Sequence, residues 1–596
     1  MADILPEDID LYFKKSLVFL YQNFTKHSHN EEKNKVLREE FNNIINLIKQ
    51  KTEKIHSNNE LEKSQKFAYF YELMMFFRLI MNVRDFEYGK GERYYTYMML
   101  DILYKYYPEL AMAGIELILG VYSPKNTDYF GENRSLFAFG CWKDVQYLCD
   151  YIRFNNQNNI SYPFIEYCVY ITVIQLEKDW KIILEHREDL KKMRKNVMKP
   201  ISQCAKWIPR ENKSKGWLFK KMAILWNYRN SPTPYVCENT MSEKTHPKAY
   251  NKCFMEFRKI ISAICSHLSI VERKICDGKW SQINPNDINI DTRCRFSEIF
   301  CSSFLLKSGK NLRLHPREIV VDEIKNVGLR YKNIPLSFFV REGMKFISSD
   351  GVDKKYENEI NETWNKYLNN YFTLDNVVPI LDISIELFNT ENELYWEAIG
   401  LACLISEKST INKRIVLVND KNNIWINLSD CKNFTSILRR LIKYTNISCF
   451  KTNSSGDLLV NKFRQILDSM IYVGMSDRNI EKMSFFIIQN NSQIKMQHKK
   501  IRKMFIDPQW SLNIPMPHFF YWNLSENIID YDDIICDEEH VTLLSGYNHR
   551  VLNIIGLLGM EHVKKQIPYY MINNFLFDNR YAIAEKAFID VMANYL

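Results

Sequence analysis

Val377-Val-Pro-Ile-Leu-Asp-Ile-Ser-Ile-Glu386 is the stretch whose reading decides the fold. A short aliphatic run without polar alternation reads as a strand buried on both faces. It delivers Asp382 and Ser384 to a loop at its carboxyl end, where ligand sites of covered sheets lie. Downstream, further strands are predicted at 414–418, 424–428, 484–489, 518–523 and 541–544. Helices are predicted between them at 393–407, 434–444, 458–470 and 492–504. Short apolar strands alternating with amphipathic helices imply a doubly wound, mainly parallel α/β sheet over residues 376–552.

Upstream the pattern is helical. Phe67, Phe70, Leu73, Met74 and Phe77 recur at three- and four-residue steps, one apolar stripe. Similar stripes run through 95–107, 162–176 and 254–268. Residues 1–330 therefore read as an all-helical array, an α-solenoid of the HEAT kind, although no clean repeat period emerges. Residues 331–375 read as a connecting segment, and 553–596 as C-terminal helices. The expected fold class is α + α/β.

A chain of 596 residues exceeds one core. Its 46% hydrophobic and 14% aromatic content describe a packed protein, not a disordered one. No apolar run approaches the roughly 18 residues of a membrane span, so no membrane partner is expected. The acidic start lacks a basic leader segment. Fourteen cysteines at irregular spacings, without Cys-x-x-Cys, suggest buried thiols in a reducing, cytoplasmic setting.

Charge is uneven. Residues 1–376 hold 57 Lys and Arg against 47 Asp and Glu, while 377–596 hold 23 against 24. Residues 187–221 alone carry a net of +9, equal to the whole chain's excess. Lysine and arginine neutralise phosphates, and interleaved aromatics stack on unpaired bases, so RNA is the expected ligand. The candidate contacts are Lys191, Lys192, Arg194, Lys195, Lys199, Arg210, Lys213, Lys215, Trp217, Lys220 and Lys221. Trp207 reads as a core plug. A solvated face on a protein-interaction scaffold is the alternative.

Several phrases carry a resemblance. Arg84-Asp85 with Gly89-Lys-Gly-Glu-Arg93, Gly140-Cys-Trp-Lys-Asp144, Ala205-Lys-Trp-Ile-Pro209, Val271-Glu-Arg-Lys with Trp280, Phe520-Tyr-Trp-Asn-Leu524 and Leu544-Ser-Gly-Tyr547 occur in that order. Together they resemble a family of plants, fungi and large DNA viruses. It pairs a TROVE-like helical module with a von Willebrand A-like domain. The plan is similar to that of the Ro autoantigen, whose helical ring binds structured non-coding RNA and RNA ends. The resemblance implies RNA on the helices, a protein partner on the von Willebrand A-like domain and, for a viral chain, the host cytoplasm.

It also implies where a metal site would be. Three loops of such a domain present hard oxygens to Mg²⁺. Here the first offers Asp382 and Ser384, with Glu386 where Ser is usual. The second offers Asp457 where a Thr hydroxyl is usual, and the third Asn490 where a carboxylate is usual. All three depart from the pattern, so a degenerate site without cofactor is expected, Mg²⁺ being the alternative.

Other signals carry no chemistry. Gly89-Lys-Gly lacks the spacing of a phosphate-binding loop and reads as a turn between helices, with Arg93 in an ion pair. His27 and His29 lack partner ligands, Ser545-Gly546 lacks the nucleophile-elbow pattern, and Asp532–Glu539 reads as a solvated acidic loop. The sequence reading is a non-enzymatic protein.

Overall fold

A computed structural model describes residues 6–25, 30–57, 63–123, 138–192, 199–236, 243–268, 270, 274, 335–348, 354–382, 393–411, 413–418, 425–448, 458–489, 494–506, 514–524, 528–535, 537–546, 549 and 551–593. The chain forms two compact units, each discontinuous in sequence. The sheet unit joins Met1–Glu92 to Pro285–Tyr581, and the helical unit joins Arg93–Asn284 to Ala582–Leu596.

The sheet unit holds six strands: β1 Val377–Leu381, β2 Arg414–Leu417, β3 Ile426–Asn427, β4 Ser484–Gln489, β5 His518–Asn523 and β6 Val541–Ser545. Their order is β3-β2-β1-β4-β5-β6, parallel throughout except for β3, which pairs antiparallel with β2. β1, β4 and β5 are buried at every position, as strands covered on both faces must be.

Pro379 sits inside central β1, where a missing N–H usually costs a ladder bond. Asp382 N donates to Ile488 O of β4 and Leu381 O accepts from Val418 N, so odd-numbered amides of β1 face β2. That ladder starts at Ile380, so the proline stands at its very beginning.

The grouping differs from the consecutive division expected from the sequence. Helices α1 Pro6–Asn23, α2 Glu31–Ser57 and α3 Lys63–Arg84 read as the start of the helical array, yet they belong to the sheet unit. α1 packs against β6 and against a C-terminal helix Pro568–Leu576. Buried Asn23 fastens it: its Nδ2 donates to Ile529 O at 3.1 Å and its Oδ1 accepts from Ile529 N at 2.7 Å. A helical stripe records that a face is buried, but not against what.

Residues 331–375, expected as a connector, contain helices Leu336–Ser348 and Lys354–Leu368, packed on Glu393–Lys408 and Phe434–Ser448. Trp364 stacks on Phe434 at 4.1 Å between centroids, with Phe339 edge-on to Trp364 at 5.1 Å. At Gly400 a Cβ would sit 2.7 Å from Leu336 Cβ, so the helices approach to a distance only glycine permits.

The helical unit contains α4 Tyr94–Tyr106, α5 Pro108–Leu119, α6 Lys143–Asn155, α7 Pro163–Lys191, α8 Gly216–Asn230, α9 Pro247–His267 and a last helix Ala582–Met592. Pro108, Pro163 and Pro247 open their helices at the position where a missing N–H is harmless. Gly120 closes α5 with φ of 70°, in the left-handed region. α7 packs on α5, α6, α8 and α9, and the last helix packs on α5. Among the described residues no helix is long and apolar enough to cross a membrane.

Candidate functional site

At the carboxyl edge of the sheet, matched register sets polar residues side by side. β1 is followed by Asp382, while β4 ends at Gln489, β5 at Asn523 and β6 at Ser545. The chain winds outward in opposite directions from β1 and β4, so the crevice between their ends is the topological switch point. Asp382 stands on one side, its carboxyl pushed up to about 7 by burial. Gln489 stands on the other, 1% exposed, with neither amide atom hydrogen-bonded among the described residues.

Of the five candidate metal ligands, only Asp382 lies among the described residues. Ser384, Glu386, Asp457 and Asn490 lie outside them. Among the described residues no group of three potential ligands converges.

The basic segment divides into two kinds of residue. Lys191 and Lys192 end α7, and Lys199, Arg210 and Lys213 follow on the loops before α8. These five are exposed and none has a carboxylate partner among the described residues. Arg194 and Lys195 lie outside those residues.

The rest are spent internally. Lys215, 16% exposed, lies 3.4 Å over the Tyr147 ring and 3.7 Å from Asp150. Lys220 pairs with Glu243 at 2.6 Å, and Lys221 pairs with Glu166. Trp217 lies under the Arg153 guanidinium at 5.1 Å, and Trp207 meets Lys143 at 5.3 Å. Sequence reasoning missed α6, whose Lys143, Tyr147, Asp150 and Arg153 hold the basic segment in place. Those residues are spread along the helix among apolar ones, so no charge run marks them.

Charge sorts cleanly between the units. The helical unit holds 30 Lys and Arg against 21 Asp and Glu, a net of +9, and the sheet unit holds 50 of each. The whole excess therefore belongs to one unit.

The recurring phrases prove to be clasps. Asp144, fully buried, accepts from Cys141 N at 2.7 Å and Tyr97 Oη at 2.6 Å, and pairs with Arg93 at 3.5 Å. Asp85 accepts from Arg580 Nε at 2.5 Å and Nη2 at 2.8 Å, and from Tyr581 Oη at 3.1 Å. A Cβ on Gly89 would collide with the Asn82 carbonyl oxygen, so Gly89-Lys-Gly is a structural turn. Trp522 Nε1 donates to Gly546 O at 2.8 Å, tying β5 to the end of β6. Val271–Lys274 with Trp280 is not described as a whole, and His27 and His29 lie outside the described residues. The described cysteines, among them Cys149, Cys204 and Cys403, are free thiols.

Comparison with known proteins finds no matching family model, no similar curated protein and no similar solved structure.

Proposed function

We propose that the helical unit binds RNA through the exposed part of its basic segment and that the protein is not an enzyme. The observation that carries this reading is the segregation of the entire +9 excess onto one unit, with Lys191, Lys192, Lys199, Arg210 and Lys213 exposed and unpaired among the described residues. Such cations supply sequence-independent affinity for phosphates. The family resemblance supports the same ligand and reads the helices as a TROVE-like solenoid.

The sheet unit acts, on this proposal, as a von Willebrand A-like module that binds a protein without metal. Its strand order and the antiparallel edge strand β3 support that reading. A cytoplasmic location fits the free thiols. The internal use of Lys215, Lys220 and Lys221 favours a second reading, a scaffold without nucleic acid.

Charge reversal separates the two. Replacing Lys191, Lys192, Lys199, Arg210 and Lys213 by Glu is expected to abolish RNA retention on filters at fixed salt, with the melting temperature nearly unchanged. Unchanged retention sinks the RNA surface. For the wild type, five phosphate contacts on a single strand predict a log–log salt slope of about −3.5. Calorimetric titration with Mg²⁺ is expected to give no heat.

A further inference from the structure

Helix α6 turns one face to solvent. Lys143, Tyr147, Asp150 and Phe154 recur at three- and four-residue steps, so they share one side of the helix. The other side, with Val145, Leu148, Cys149 and Ile152, is buried. Phe154 is 81% exposed and Tyr147 40%, and seven residues set them about 10 Å apart along the axis. Phe154 makes no ring or cation contact among the described residues. Two rings on one exposed face form a small apolar patch.

The basic segment runs beside this face. Gln146 Nε2 donates to Trp207 O at 3.4 Å, and Lys143 lies 5.3 Å from the Trp207 ring. At the other end the Arg153 guanidinium lies 5.1 Å from the Trp217 ring. Residues 207–217 are therefore laid along α6 from its first turn to its last. Between those anchors Arg210 and Lys213 are exposed, held in one turn by Lys213 N donating to Arg210 O at 3.2 Å. Lys215 lies 3.4 Å over the Tyr147 ring, so a cation and an aromatic meet at the seam. The anions there are answered: Asp150 faces Lys215 at 3.7 Å, and Glu211 pairs with Arg258. A row of cations beside exposed rings complements a strand that offers both phosphates and bare base faces.

We propose that this face of α6 is a base-stacking platform that makes the RNA surface selective for single strands. Unpaired bases lie on the Phe154 and Tyr147 rings while the phosphates run along Arg210, Lys213 and Lys215. The distance between the rings matches about three stacked nucleotides. A duplex offers the same phosphates, but its base faces are already stacked and paired, so the rings gain nothing from it. The proposal rests on the RNA reading above and deepens it by naming the form of RNA and the side chains that select it.

The test is fluorescence anisotropy of the full chain, at one salt concentration, with a labelled oligouridine and an RNA duplex of the same length. The wild type is expected to bind the single strand about tenfold more tightly than the duplex. Replacing both rings, Tyr147→Ala with Phe154→Ala, is expected to weaken the single strand about tenfold and leave the duplex and the salt slope unchanged, since no phosphate contact is lost. Tyr147→Phe keeps a ring and is expected to bind as the wild type does. Both positions are exposed, so the melting temperature serves as the control for folding. An alanine pair that binds the single strand as tightly as the wild type overturns the platform and leaves the face to a protein partner, while the RNA reading stands or falls separately with the five-glutamate variant. Equal affinity of the wild type for strand and duplex also overturns it, and a wild type that binds neither overturns both readings.

Discussion

The two units spend their charges differently. In the sheet unit 50 cations balance 50 anions, and key members are interior ties such as Asp85 with Arg580. In the helical unit the balance fails by nine, and the surplus on the basic segment stands in solvent at Lys191, Lys192, Lys199, Arg210 and Lys213. A charge buried and paired holds a fold together, because removing one partner strands the other without water. An exposed, unopposed charge contributes little to stability and is available to a ligand. The contrast separates the part of the molecule that shapes from the part that presents.

The largest expected effect breaks the contrast at its interior end. Asp85→Ala removes the buried partner of Arg580, leaving it the part-exposed Glu87, and is predicted to cost about 3 kcal/mol in urea unfolding. Lys213→Ala, on the exposed side, is predicted to stay within about 0.5 kcal/mol. Equal effects would dissolve the distinction between the units.

A smaller effect belongs to the sheet unit alone. His498 is lowered to about 4 by burial, with Arg502 and His540 adding, and His518 is held well below its usual value by burial first. Both stay neutral in the folded state while the unfolded chain takes up protons below about 6.5. Stability is therefore predicted to fall as pH drops from about 6.5 toward 4, on the order of 2 kcal/mol. His498→Gln should flatten that dependence in thermal melts at several pH values.

The smallest effect sits on the helical unit's surface. The Lys220–Glu243 pair is half exposed, and a double-mutant cycle should give less than about 1 kcal/mol, shrinking further in high salt. A larger coupling would put this surface pair on a level with the interior ties of the sheet unit.

Much of the sheet was legible in the sequence. β4 and β5 occupy the predicted residues, because a continuous apolar run between polar breaks has one strand to be. β1 occupies the first five residues of the stretch that decided the fold. The expected ion pair at Arg93 was legible in type, and its partner Asp144 needed coordinates. The connecting segment carries short helices whose own residues, Phe338, Phe339 and Trp364 among them, do not say which other helices they pack against. Four of the eleven candidates, Lys215, Trp217, Lys220 and Lys221, have partners within the helical unit, because a list of lysines does not say which of them faces Glu166, Glu243 or Tyr147.

By itself the sequence determined the classes of the elements, the free thiols and the basic excess, all of which follow from local pattern and composition. Only the tertiary structure decided which unit each helix joins, which lysines remain open to solvent, and that Lys90 meets Ser545 across 455 residues of chain. Periodicity fixes which face of a segment is buried, but the partner of that face is chosen by long-range packing, which no window of sequence contains.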